Sequence, residues 1–174
     1  MMRAGASLTE NRFFNNCGGK LFAKTGPILL DSNNTVKLLR ECNSGIKMGV
    51  ESIDEMLPKV KDSGLRSALE ESRQAHGKLG DRTHSLLNEY HDEGKDPSPM
   101  AKGMSWMKTN MKLLVEEDSD KAVADLITDG CNMGMKSLNR YLNQYQAAEE
   151  QVKDIAKDLV GLEQDLVKDV RPFL

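Results

Sequence analysis

Four residues have the chemistry and the positions needed to bind a metal ion together. Cys42 and Cys131 each lie inside a stretch with helical spacing of apolar residues, and Glu41 directly precedes the first of them. His76 lies on the apolar stripe of a further predicted helix. Thiolate and imidazole groups are good ligands for zinc. The alternative, which we favour, is that both cysteines are small core residues and that His76 is a hydrogen-bonded core histidine.

A repeated segment surrounds the two cysteines. Residues 41–49 read ECNSGIKMG and residues 130–138 read GCNMGMKSL, so the pattern Cys-Asn-x-Gly-x-Lys occurs twice. A glycine inside a helix costs about 1 kcal/mol relative to alanine, so each of these glycines needs a compensating reason. Within each segment two glycines lie four residues apart, on one helix face, where another backbone can approach closely.

We therefore predict a close helix–helix seam that both segments share. In this interpretation two buried asparagines hydrogen-bond across the seam and fix its register. The alternative is a ligand pocket that the missing side chains leave open. The predicted seam consists of Asn43, Gly45, Gly49, Gly130, Asn132 and Gly134.

Five predicted helices position these residues. The first follows a cap at Asn33 or Asn34 and ends near Pro58, and the second follows the turn at Ser63-Gly64 and runs to Tyr90. Apolar residues in alternating steps of three and four predict three more helices, at about residues 99–116, 120–145 and 147–171. The first and second helices form one αα-hairpin, and the fourth and fifth form another. Each hairpin contributes one copy of the repeated segment.

The connection between the hairpins is long enough to change the topology. It covers roughly residues 92–119 and contains the third helix, which at about 18 residues spans about 27 Å. Such a crossover carries the chain from one end of a bundle to the other, as in ferritin-like bundles and unlike simple up-down bundles. The predicted fold is thus all-α, a ferritin-like four-helix bundle of two αα-hairpins with an additional crossover helix.

Two motifs support a family resemblance. The Cys-Asn-x-Gly-x-Lys and Asp-Gly-Cys-Asn-Met-Gly segments resemble bacterial ferritin-like domains of unknown function, over about residues 34–172. Many members of the wider ferritin-like superfamily bind two irons or manganeses and perform redox chemistry, which requires Glu-x-x-His motifs on two helices. Here all three histidines, His76, His84 and His91, lie on the second helix, and none follows a glutamate by three positions. The fifth helix has an aliphatic inner face, so the di-iron site is predicted to be absent.

The third helix carries a stripe of methionines. Met100, Met104, Met107 and Met111 recur at core-facing steps, with Trp106 alongside. Copper ligation, a haem-binding face and an adaptable protein-binding surface are the functional alternatives to simple packing. We expect a homodimer contact, if one forms, at Met104, Trp106, Met107 and Met111.

The chain is predicted to contain a leader and one domain. Residues 1–33 have glycine pairs and no helical or alternating period, so we expect a disordered or loosely packed leader. A translation start near Leu29 or Leu30 is an alternative explanation of that segment. Residues 34–174 form the bundle.

Composition excludes several classes of function. A net charge of −3 and a pI near 5.7 argue against nucleic-acid binding, and the absence of a long apolar run argues against a membrane helix. Three cysteines without a CxxC pattern fit reduced thiols in the cytoplasm. No cofactor is predicted. We expect a cytoplasmic, non-enzymatic protein that acts by protein binding or self-assembly, and the rival is a degenerate ferritin-like metal-binding or metal-storage protein or oxidoreductase.

Overall fold

Four α-helices make up the part of the chain that the structure describes. The computed structural model describes residues 32–94 and 119–174. The helices are α1 (Ser32–Met56), α2 (Ser63–Glu89), α3 (Ser119–Gln144) and α4 (Glu150–Val170), and short 3₁₀ turns follow α1 at Leu57–Lys59 and α4 at Arg171–Phe173. No strand occurs within these two ranges. The prediction of an all-α protein is therefore confirmed.

Consecutive helices pair into two hairpins. α1 makes its most extensive contacts with α2, and α3 with α4. The first hairpin turns through Leu57–Lys59, where Pro58 occupies an early position of a 3₁₀ helix and needs no N–H partner. Asp62 then caps α2, because its carboxylate accepts hydrogen bonds from the N–H groups of Gly64 at 2.7 Å and Leu65 at 3.0 Å.

Hydrogen bonds between the turns determine which ends of the hairpins are adjacent. The Asp120 carboxylate, in the first turn of α3, accepts from the backbone N–H groups of Lys61 at 2.7 Å and Asp62 at 3.1 Å. At the opposite end, the N–H group of Glu149 donates to the Thr35 hydroxyl at 3.1 Å. α3 therefore begins where α1 ends, and the four helices run up, down, down and up.

The link from α2 to α3 joins opposite ends of the bundle. After α2 the chain lies beside the first half of α1, where the Arg40 guanidinium donates to the Asp92 carboxylate at 2.9 Å. The Tyr90 hydroxyl donates to the Glu149 carboxylate at 2.6 Å, at the same end. Since α3 starts at the other end, the described ends of this connection lie at opposite ends of the bundle.

Several predictions fall on residues outside the described ranges. They are the crossover helix at about 99–116, the contact at Met104, Trp106, Met107 and Met111, and residues 1–31 of the predicted leader. The predicted cap at Asn33 or Asn34 is wrong, because α1 already includes Ser32 and both asparagines. The fifth predicted helix also begins later than expected, at Glu150, because Ala148 closes a turn by donating to the Tyr145 carbonyl at 3.0 Å.

The core consists of two apolar clusters along the bundle axis. One surrounds Leu39, Leu87 and Ile155 near the start of α1, and the other surrounds Met56 and Leu65 near the α1–α2 turn. All five of these side chains are buried. Polar residues from the middles of the helices separate the two clusters, and the candidate site lies at this level.

Asp62→Ala should lower the free energy of unfolding by about 1 kcal/mol, because the first turn of α2 would lose its only side-chain cap among the described residues. Asp81→Ala is the matched control, since Asp81 is exposed on the same helix and its loss should change stability by less than about 0.5 kcal/mol. Urea unfolding of both variants measures the difference. Equal midpoints for the two variants would contradict the capping role.

Candidate functional site

A cavity of about 280 Å³ lies between α1 and α3. Ile53 of α1, Ile127 and Leu138 of α3, and Leu159 and Leu166 of α4 give it a mainly aliphatic wall. Its polar wall includes Glu41, Ser52, His76, Cys131 and Glu163. Residues from all four helices thus meet at one mostly apolar site that also contains a histidine and two carboxylic acids.

The repeated glycines explain why the cavity exists. Gly45 and Gly49 of α1 and Gly130 and Gly134 of α3 all line it. Because these four residues lack side chains on the facing sides of the two helices, the space between the helices is left open. This arrangement fits the alternative interpretation of the repeat, a pocket opened by missing side chains.

Two of the glycines admit polar side chains of the neighbouring helix. A Cβ at Gly49 would lie 3.0 Å from the His76 ring, and one at Gly134 would lie 3.3 Å from Glu163 Oε1. A Cβ at Gly45, by contrast, would make an ordinary 3.5 Å contact with Leu159. The prediction that both segments make the same contact is therefore wrong, because equivalent glycines face different residues.

The two asparagines of the repeat also differ. Asn43 is buried at 6% exposure and lies against Gly94, which adopts a φ of 81° that favours glycine. Asn132 is exposed. The expectation that both asparagines are buried is therefore wrong for Asn132, and the two copies of the repeat do not share an environment.

His76 is the most deeply buried polar residue of the cavity wall, at 1% exposure. Its Nδ1 lies 2.8 Å from the Ser72 carbonyl oxygen, which can only accept, so Nδ1 carries a proton. Its Nε2 has no hydrogen-bond partner within the described residues. The nearest carboxylate oxygen, Oε1 of Glu163, is 3.7 Å away, an ion-pair distance that is too long for a hydrogen bond.

The environment of His76 shifts its pKa in two directions. Burial disfavours the imidazolium and lowers the pKa, but the Glu163 carboxylate and the Ser72 carbonyl favour it and outweigh burial. The pKa of His76 is thus raised above its ordinary value of 6.5. Because the folded chain holds this proton more tightly than the unfolded chain, His76 stabilises the fold below pH 6.5, and the contribution is lost as the pH rises through the folded pKa.

The thiols of Cys42 and Cys131 are held in the protonated form. Burial, with a contribution from the charge of Glu41, raises the pKa of Cys42 to about 12. Burial, the charge of Glu163 and a hydrogen bond to its carboxylate raise the pKa of Cys131. A thiol must lose its proton to bind zinc, so these environments oppose metal binding.

The structure brings only three of the four candidate metal ligands to the cavity. Glu41, His76 and Cys131 line the cavity, whereas Cys42 belongs to the apolar cluster near the start of α1. Among the described residues, no three histidine, cysteine, aspartate or glutamate side chains are arranged to hold a metal ion.

Glu163 was missed by sequence reasoning. The inner face of the last helix was predicted to be aliphatic, but Glu163 is only 9% exposed and faces His76. The signal was present in the spacing, because Glu163 follows Leu159 by four positions and precedes Leu166 by three. It therefore continues the buried stripe of α4.

Comparisons with protein-family models, curated proteins and solved structures found no match to this chain. The described helices include none with an apolar run sufficient to cross a bilayer.

Gly77→Ala should stabilise the protein by about 1 kcal/mol, because alanine favours the helix and the site on α2 is open. Gly49→Ala should give no such gain, since its Cβ would press on the buried His76 ring at 3.0 Å. Thermal unfolding of the two single variants compares them directly. Equal stabilisation would show that the ring moves freely and that Gly49 is not required for the contact.

Glu163→Gln should lower the pKa of His76 below its wild-type value, because the main favourable charge is removed while burial remains. A titration of the His76 ring protons by NMR measures this change. Glu150→Gln is the control, because Glu150 is exposed on the same helix and pairs with Lys153 at 2.9 Å. An unchanged His76 pKa in Glu163→Gln would show that the 3.7 Å contact has no electrostatic effect.

Proposed function

We propose that this protein acts by binding, and that the cavity between α1 and α3 is its binding site for a small, mainly apolar ligand. One observation carries the proposal. An imidazole that is 1% exposed faces a cavity of about 280 Å³, and its Nε2 has no hydrogen-bond partner among the described residues. A buried polar atom without a partner costs about 1–3 kcal/mol, so a ligand that supplies the partner gains this energy on binding.

The size and character of the cavity support a small ligand. Its volume is close to the lower limit of about 300–1,000 Å³ that is typical of small-molecule sites. Aliphatic side chains from three helices would bury the apolar part of a ligand. The wall is mostly apolar with a minority of polar groups, which in such sites fix the orientation of the ligand.

The geometry favours binding over turnover. Cys131 is the only thiol that lines the described cavity wall, and a raised pKa keeps it in its non-nucleophilic form. His76 directs Nδ1 at the Ser72 carbonyl, and its Nε2 faces the cavity without a hydroxyl or thiol partner. Cys131 contacts the Glu163 carboxylate, but burial and that charge raise the pKa of the thiol and keep the proton on sulfur, so the contact does not generate the thiolate that covalent catalysis requires.

The ferritin-like fold belongs to the same proposal. The up, down, down and up order of helices, in which α2 ends and α3 begins at opposite ends of the bundle, supports it. In ferritin-like metalloproteins the middle of the bundle contains the metal ligands. Here the middle contains a glycine-lined cavity, so we propose a ferritin-like scaffold in which ligand binding occupies the place of metal chemistry.

Protein binding is the second candidate. Met133 lines the cavity and is 45% exposed, so an apolar side chain of a partner protein could reach the same site. A homodimer is one form of this proposal.

The proposed function predicts that 1-hexanol binds in the cavity in a saturable manner. In the NMR spectrum of the full chain, the amide signals of Gly45, Gly49 and Gly134 should shift with a common affinity, because these residues line the cavity. The signals of Gly77 and Gly161 should not, since their surroundings are open and they lie outside the wall.

A substitution tests whether hexanol binds in this cavity. Gly45→Leu directs a side chain into the cavity past an ordinary 3.5 Å contact with Leu159 and should abolish hexanol binding. Gly77→Leu is the matched control and should leave binding unchanged. Unsaturable shifts, or shifts of equal size at Gly77 and Gly161, would overturn the proposed function.

A further inference from the structure

Three buried acceptor groups contribute to the polar part of the cavity wall, beside the hydroxyl groups of Ser52, Ser137 and Tyr141. His76 Nε2 and the carboxyl groups of Glu163 and Glu41 all face this space. His76 is 1% exposed and each glutamate is 9% exposed. Arg140 is the one cationic side chain among the described lining residues, and it is exposed, with its guanidinium 5.4 Å from the centroid of the Tyr141 ring. No lysine lines the described wall.

The hydrogen bond to the Ser72 carbonyl determines which nitrogen of the neutral His76 ring is an acceptor. Because Nδ1 donates to this carbonyl at 2.8 Å, the neutral ring presents Nε2 as a bare acceptor. When the ring is neutral, the Glu163 oxygen 3.7 Å away is also an acceptor, so the two atoms cannot satisfy each other. The pair requires a group with at least two hydrogens to donate.

We propose that the ligand is a primary amine, whose ammonium group binds between His76 Nε2 and the Glu163 carboxylate while its apolar chain fills the glycine-lined space. This inference rests on the proposed function and specifies the ligand class. An ammonium group has three donors and a positive charge, and it makes charge-assisted hydrogen bonds with carboxylates. A hydroxyl has one hydrogen and satisfies only one of the two acceptors. A carboxylate ligand would be repelled by both glutamates.

Amine binding is coupled to the protonation of His76. When the ring is charged, its Nε2–H faces Glu163 and repels an ammonium ion, so the amine displaces this proton. The other titratable or charged groups facing this level are Glu41 from α1, and Cys131, Tyr141 and the outer Arg140 from α3. Affinity for an amine therefore rises with pH through the range in which His76 titrates, while affinity for an alcohol does not.

Calorimetric titration of the full chain with 1-hexylamine, 1-hexanol and hexanoate tests the inference. We expect hexylamine to bind at least about tenfold more tightly than hexanol, since its charge-assisted bonds are about twice as strong as neutral ones. Hexanoate should bind more weakly than either. Between about pH 6 and about pH 8, where an amine stays protonated, the affinity for hexylamine should rise and that for hexanol should stay constant.

Glu163→Gln separates the head-group contact from the apolar contact. In this variant the preference for hexylamine over hexanol should disappear, and the affinity for hexanol should persist. If Glu163→Gln does not unfold cooperatively, His76→Gln tests the same contact. Glu150→Gln is the surface control, and its preference for hexylamine over hexanol should be unchanged.

Other outcomes of these titrations would contradict the amine inference alone or the proposed function as well. Equal affinity for hexylamine and hexanol, or a preference that survives in Glu163→Gln, overturns the amine inference and leaves the cavity as a binding site. Absence of binding by all three probes overturns the proposed function as well.

Discussion

The burial of His76 beside Glu163 is the interaction on which the middle of the bundle depends. When His76 is protonated, the charged pair at this depth has lost hydration, and a separation of 3.7 Å recovers only part of that energy. The neighbouring helices have adapted to it, because Gly49 leaves room for the imidazole and Gly134 leaves room for the carboxylate. Two helix positions are thus held by glycine at a cost in helix propensity of about 1 kcal/mol each.

The glycines and the polar pair in the middle of the bundle lie between the two apolar clusters. Aliphatic side chains close both ends of the bundle, and α1 contacts its own hairpin partner more extensively than it contacts α3. Where the glycines replace larger residues, the wall between α1 and α3 stays open. The packed clusters therefore lie toward the two ends of the bundle, and the cavity lies between them.

Periodicity in the sequence predicted much of the fold because burial along a helix follows steps of three and four residues. His76 lies on the apolar stripe of its helix, as predicted, and Leu65, Leu69, Leu79 and Leu86 of α2 are buried with it. Cap positions were less predictable, since Asn33 and Asn34 lie within α1 and Asp62, which was not predicted, caps α2. Many polar residues can accept a backbone hydrogen bond, and only the local turn geometry decides which one does.

Sequence alone determined that the described chain is helical, that it pairs into two hairpins, and that a repeated glycine segment lies on the first helix of each. It did not determine what those glycines face. Tertiary structure placed His76 against Gly49 and Glu163 against Gly134, left Asn132 in solvent, and opened a cavity where a seam was predicted. The physical reason is that periodicity reports which side of a helix is buried, whereas contacts depend on the axial shift and rotation of one helix against another. Those two quantities are set by the packing of all four helices together and cannot be obtained from any single helix.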